Sequence, residues 1–149
     1  MKIKYTRHAA GAIATTGLAD EFHESPRSAH GPLVSCLMVT RGNPELVSSA
    51  LACFRAQTWV NKELVVVCEN VTPALRELLK DDHRIRLVEV SHKVSLGDLR
   101  NLAVAHSAGT YLCQWDDDDL YDPRRITVQM GILSSAGVMA VFMSRWLIW

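Results

Sequence analysis

Residues 116–119 are four consecutive aspartates, and Asp122 follows close behind them. Carboxylates packed this closely repel one another, and the repulsion has to be offset by water, hydrogen-bond donors or a cation. The run just before them, Thr110-Tyr111-Leu112-Cys113-Gln114-Trp115, has the composition of a strand. Continuing from a strand, alternate carboxylates point roughly the same way, which pairs Asp116 with Asp118. Asp117 and Asp119 offer the same spacing, so the register within the tetrad stays open. A pair of hard oxygen donors suits Mg2+ or Mn2+, which often complete their coordination with substrate phosphates. Read as structure alone, the tetrad is a solvated acidic turn, with Asp122 at the positive end of a helix starting at Pro123.

Such a cluster works only if other elements hold it in place. From Pro32 onward, short apolar runs alternate with helical segments. Residues 33–39 form a continuous apolar run of strand length, as in a parallel strand buried on both faces. The run stops at Thr40-Arg41-Gly42-Asn43. Pro44 and Glu45 then suit a first helical turn, where a proline N–H is not missed and an acid meets the positive end. Leu46, Val47, Ala50, Leu51 and Phe54 recur at three and four residues and define one apolar face. A β-branched run over 63–68 predicts a second strand, and Thr72-Pro73 opens a short helix through Leu75, Leu78 and Leu79. Residues 85–90 predict a strand with one wetter face. Ser95 and Asp98 sit as cap and first-turn acid of a helix running to His106, and Gly109 separates it from the strand over 110–115. A helix from Pro123 ends near Gly137, and residues 138–143 predict one more strand.

Strand and helix in repeated alternation predict a three-layer α/β/α architecture on a mostly parallel, Rossmann-like sheet with right-handed crossovers. Ligands in such sheets bind beyond the carboxyl ends of the strands. Three of these ends carry polar groups: residues 40–43, Glu69-Asn70, and the aspartate tetrad.

Length and composition narrow the function classes. A chain of 149 residues is one domain's worth, large enough to bury about two thirds of its unfolded surface without staples. Sixteen basic and sixteen acidic residues balance to zero, which argues against nucleic acid as a partner. Apolar content of 48% excludes low-complexity disorder. No run approaches the roughly 18 apolar residues of a membrane-spanning helix, and Lys2, Lys4 and Arg7 precede no apolar core of a secretory signal. Cys36, Cys53, Cys68 and Cys113 lack CxxC spacing and lie in apolar runs, as reduced thiols of a cytosolic protein do. Residues 1–31 differ from the rest, mixing Gly, Ala, Thr, Ser and three His without a sustained period. They are expected to form a flexible tail with some helix around 9–14, leaving residues 32–149 as the folded unit.

From Pro32 to Leu133 the chain resembles the nucleotide-binding half of a family 2 glycosyltransferase with the A-type glycosyltransferase fold. The residues carrying the resemblance are Pro32-Leu33-Val34-Ser35, Thr40-Arg41-Gly42-Asn43 with Pro44-Glu45, Ala56-Gln57-Thr58, and the strand over 63–67. Arg100-Asn101, Ala108-Gly109-Thr110-Tyr111 and the strand leading into the aspartates complete the set. Each piece is weak alone; the order and spacing are specific.

The resemblance implies a transferase that takes a sugar from a nucleotide diphosphate sugar, in the cytoplasm or peripheral to a membrane. The acceptor, a saccharide, lipid or protein, stays unassigned. The family's Asp-any-Asp motif maps onto Asp116 and Asp118 as ligands of Mn2+ or Mg2+. Asp118 is then the direct metal ligand, and Asp116 lies near ribose, sugar and metal. Donor contacts are implied for Thr40, Arg41, Asn43, Glu69, Arg100, Asp116 and Asp117.

Two departures stand out. Gly42 occupies a place where the family usually has an aromatic residue, and the second strand ends Cys68-Glu69-Asn70-Val71 instead of in paired aspartates. Family members also carry a carboxylate general base well downstream, to deprotonate the attacking hydroxyl in an inverting displacement. Residues 123–149 hold no Asp or Glu. The base is therefore expected beyond Trp149, the fold truncated at its C-terminus, and the chain a fragment with low or no transfer of its own, marginal in stability through exposed edges. Two other readings stay open: a sugar nucleotidyltransferase, for which Arg41-Gly42 is a thin phosphate loop, and a non-catalytic nucleotide-sugar-binding or interaction module using the Trp-rich end.

Overall fold

The computed structural model describes residues 31–142. The elements run β1 (Val34–Thr40), α1 (Pro44–Ala56), β2 (Lys62–Cys68), α2 (Pro73–Leu79), β3 (Ile85–Glu89), α3 (Leu96–Ala105), β4 (Tyr111–Gln114) and α4 (Arg125–Ala136). The strands form one parallel sheet in the order β3-β2-β1-β4. The chain reverses its direction of travel across the sheet between β3 and β4, so β1 sits centrally with β4 at one edge.

The central strands are apolar because both of their faces are covered. Val65, Val66 and Val67 of β2 have no exposed surface, alternating between two cores. One core joins Cys36, Met38, Leu64 and Val66 to α1 (Val47, Leu51, Phe54), α2 (Leu75, Leu79), α4 (Ile126, Met130) and Trp115. The other packs Val65, Val67 and Val90 under Leu99 and Ala103 of α3. The result is the expected three-layer α/β/α sandwich, with a single helix on the second face.

Local chemistry sets the helix starts. Asn43 caps α1 by accepting from the Glu45 amide at 3.0 Å, with Pro44 in the first turn. Thr72 caps α2 through the Leu75 amide at 3.1 Å. Ser95 and Asp98 form a reciprocal capping box on α3. Gly137, at φ +61°, ends α4 in the left-handed conformation.

Three expectations are corrected. The fourth helix begins at Arg125, not at Pro123, because Asp122 accepts from the Arg124 amide at 2.7 Å and turns the chain there first. The aspartate tetrad does not continue the strand: β4 ends at Gln114, and residues 117–118 form a turn. Strand alternation therefore cannot orient Asp118. Residues 138–142 are not a strand, since no described strand pairs with them and Met139 is fully exposed. The expected tail, apart from Gly31, lies outside the described residues.

Candidate functional site

The carboxyl ends of β1, β2 and β4 bring Thr40, Glu69 and the aspartates to one end of the sheet. Thr40 is buried, and its hydroxyl donates to Asp117 Oδ2 at 2.5 Å while accepting from the Gly42 amide at 3.0 Å. One hydroxyl thus ties the β1 loop to the acidic turn. Gly42 adopts φ +84°, and a Cβ there would lie 2.6 Å from the Asn70 carbonyl oxygen and 3.2 Å from Cys68 Sγ. This conformation leaves no room for the aromatic side chain the resemblance led one to expect.

The other β1-loop candidates are spread out. Asn43 uses its side-chain oxygen on the α1 cap, and Arg41 is exposed. Glu69 is half-buried, and its Oε1 accepts from the Val94 amide at 2.9 Å, so one oxygen secures the loop before α3. Arg100, exposed on α3, lines the same open groove as Gln114, Asp116, Asp119, Tyr121 and Arg125, a cavity of about 620 Å³ along β4.

Within the tetrad the four carboxylates differ. Asp116 Oδ2 accepts from Gln114 Nε2 at 2.8 Å. Asp117 is held by Thr40, and Asp119 Oδ2 accepts from the Tyr121 hydroxyl at 3.1 Å. Among the described residues nothing donates to Asp118, and it is the exposed member. The two carboxylates assigned to a metal, Asp116 and Asp118, thus keep oxygens free. No three metal-ligating side chains converge among the described residues. A hard cation held by one or two carboxylates draws its other ligands from phosphate and water. The all-oxygen donor set fits that chemistry.

The segment after the turn is fastened by residues whose sequence signal was the Ala56-Gln57-Thr58 run. Buried Gln57 donates through Nε2 to the Asp122 carbonyl at 2.8 Å and accepts from the Ile126 amide at 3.1 Å. The Thr58 amide donates to the Pro123 carbonyl at 2.8 Å. The end of α1 therefore sets where α4 starts and where the acidic turn must close. Tyr121 and Arg125, singled out by nothing in the sequence reading, complete this closure. The Tyr121 ring packs against buried Trp115, tilted by 45° with centroids 4.2 Å apart, and the Arg125 guanidinium lies 4.1 Å over the Tyr121 ring. Arg125 Nη2 donates to the Gln114 carbonyl at 3.0 Å. Its buried Nε and Nη1 have no acceptor, and the face of the ring takes that place. Burial pushes the Tyr121 hydroxyl well above its ordinary pKa, so it stays protonated and able to donate.

In an open parallel α/β sheet ligands bind beyond the carboxyl ends of the strands, the end at which this chain places its carboxylates. The chain matches the family model for glycosyl transferase family 2 over residues 35–148 and belongs to that family. Its fold is the A-type glycosyltransferase fold. The chain is 28% identical over 104 residues to an uncharacterized glycosyltransferase of Methanocaldococcus jannaschii, covering 66% of this chain and 36% of that protein. It is 23% identical over 103 residues to a UDP-Glc:α-D-GlcNAc-diphosphoundecaprenol β-1,3-glucosyltransferase of Escherichia coli, covering 68% and 41%. Among solved structures, a mannosyltransferase from Pyrobaculum calidifontis in complex with GDP-Man and Mn2+ superposes with a TM-score of 0.56 at 25% identity. That match covers 65% of this chain and 30% of the neighbour. The chain thus spans well under half the length of these relatives. No helix among the described residues is long and apolar enough to cross a membrane.

Proposed function

We propose that this chain is the donor-binding part of an inverting, metal-assisted transferase that moves a sugar from a nucleotide diphosphate sugar to an acceptor. The observation that carries the reading is the joining of two strand ends by the Thr40–Asp117 hydrogen bond, next to an Asp118 carboxylate that no described group engages. Asp116 and Asp118 would hold Mn2+ or Mg2+. Bound there, the cation would neutralise charge that grows on the leaving diphosphate.

The chain's own residues have separable parts in this scheme. Asp116 lies near ribose, sugar and metal, and Asp117, fixed by Thr40, adds a further donor contact. Glu69 keeps one oxygen for a donor N–H of the base while the other holds the loop at Val94. Arg100 brings a cation to the groove wall that Asp116 shares. Arg41 and Asn43 contribute the exposed β1 loop beside the nucleotide. A carboxylate base is not supplied by residues 123–149, which contain no Asp or Glu. The acceptor is a saccharide, a lipid or a protein, and the place of action is the cytoplasm or the membrane surface that faces it.

Calorimetry with UDP- and GDP-sugars in the presence and absence of Mn2+ tests the reading. Heat of binding that requires Mn2+ and vanishes in Asp118→Ala is expected. Binding that ignores both the metal and Asp118 would overturn it.

A further inference from the structure

The acidic turn is closed by a hydrogen-bonded bridge that does not belong to the acids themselves. The Tyr121 hydroxyl accepts from the Asp116 amide at 2.8 Å and donates to Asp119 Oδ2 at 3.1 Å. One oxygen atom therefore spans the turn from its first residue to its last. The ring that carries it cannot easily swing away. Trp115, with no exposed surface, packs on one side of it, and the Arg125 guanidinium lies over it. Trp115 is itself anchored, its indole Nε1 donating to the Ala50 carbonyl at 3.2 Å and its ring meeting Phe54 edge-on at 6.2 Å. Arg125 opens α4, whose start is set by Gln57. The position of the hydroxyl thus derives from α1 by two routes, one through Ala50 and Trp115 and one through Gln57, at the helix's end, and Arg125.

We infer that Tyr121 is a positioning residue for metal-assisted donor binding: its hydroxyl closes the turn so that Asp118 is presented with its oxygens uncommitted. The inference rests on the donor-site reading above. Four mutually repelling carboxylates on an unbraced loop would spread apart, and a cation would have to reorganise them on binding. Bridged by Tyr121 at Asp116 and Asp119, and tied by Thr40 at Asp117, the turn meets the cation already formed. Asp116, Asp117 and Asp119 each have one oxygen engaged, and Asp118 keeps both of its oxygens for coordination. Tyr121 touches neither donor nor metal in this scheme and acts through Asp116 and Asp119. Its ring packing and its hydroxyl can be separated by Tyr121→Phe, which keeps the ring against Trp115 and removes both hydrogen bonds.

The test measures Mn2+ binding by electron paramagnetic resonance, with Mn2+ alone and with Mn2+ plus UDP or GDP. Wild type, Tyr121→Phe and Asp118→Ala are compared, each with its thermal melt. Tyr121→Phe is expected to keep a cooperative melt and to bind Mn2+ roughly 10-fold more weakly, the usual scale for losing an outer-shell partner. Asp118→Ala is expected to lose binding outright. Unchanged affinity in folded Tyr121→Phe, with Asp118→Ala still deficient, overturns the role of Tyr121 and leaves the donor site standing. Binding unaffected by Asp118→Ala, or absent from wild type, overturns the donor site itself. Hydrogen exchange on the wild-type chain gives a check that needs no variant. The Asp116 amide is expected to be as protected as the amides of β4 before any metal is added, and free exchange there contradicts a preformed turn.

Discussion

The two ends of the sheet use the same kinds of residue for opposite purposes. At the amino ends the buried polar side chains among the described residues are matched. Ser35 donates to Glu63 at 2.5 Å, the amides of Ala108 and Gly109 close on Glu63 and Ser35 at 2.6 and 2.8 Å, and the buried Lys62 ammonium donates to the carbonyls of Gln57 and Trp59 at 2.8 and 2.7 Å. Asp82 is likewise enclosed by Arg84 and Arg55. At the carboxyl ends, braces stop one residue short: Asp116, Asp117 and Asp119 are engaged, and Asp118 is not. A buried polar group without a partner is costly, so complete matching marks an end built for stability. An exposed, uncommitted carboxylate among braced ones is what the proposed donor site calls for at the other end.

This contrast can be broken from either side. Asp118→Ala is expected to have the largest effect, weakening Mn2+-dependent binding of nucleotide sugar by more than about 100-fold, since even outer partners of a metal cost 10- to 100-fold. Its melting temperature should match wild type within about 1 °C or exceed it, because the exposed carboxylate makes no contact and its removal relieves repulsion. Gly109→Ala should do the reverse. A Cβ there would sit 2.5 Å from Ser35 Oγ and 2.7 Å from the Ser35 amide nitrogen. The resulting overpacking should cost about 1–3 kcal/mol in urea denaturation, while the molecules that stay folded bind donor normally.

Asp82→Asn is smaller and depends on pH. Hydrogen bonds from the Arg84 side chain, and then its amide, hold the Asp82 carboxyl well below the usual carboxylate range. A pKa depressed by folding adds stability above the unfolded value near 4, and this is lost as pH falls through the folded value. Asp82→Asn should therefore cost about 1–2 kcal/mol at pH 7. The gap to wild type should narrow as pH falls below about 4, and denaturation at pH 7 and pH 3 checks the sign. Thr40→Val is the smallest of the set. Losing the hydroxyl frees Asp117 and leaves the Gly42 amide without its acceptor. About 1 kcal/mol of stability and a several-fold loss of donor affinity by calorimetry are expected.

Both ends were not equally visible in the residue order. The strands and most helix starts follow from local signals: β-branched runs over 63–68, Pro44 behind Asn43, and the Ser95–Asp98 box. The aspartates stood out as a candidate site by type and spacing. The way they are held was only partly readable, because the tie to β1 and the anchor of the following segment depend on partners far along the chain. Thr40 meets Asp117 and Gln57 meets Asp122 only once β1, α1 and β4 are packed. Alternation along a strand misjudged the tetrad because the chain turns at 117–118, where nearby Tyr121 bridges Asp116 and Asp119 and distant Gln57 holds the start of α4. The expected strand over 138–143 failed over its described residues because apolar content alone does not provide a neighbour to pair with. Gly42 illustrates the converse, a glycine whose necessity appears only when the Asn70 carbonyl is seen against it.

The most direct measurement of the central claim is paramagnetic broadening of amide signals by Mn2+ with UDP or GDP present. Signals of Thr40, Glu69 and the four aspartates are expected to broaden first, while Ser35, Lys62 and Gly109 at the opposite end stay sharp. Asp118→Ala should restore the broadened signals. Broadening centred on the amino ends, or spread evenly over the surface and indifferent to Asp118, would contradict it.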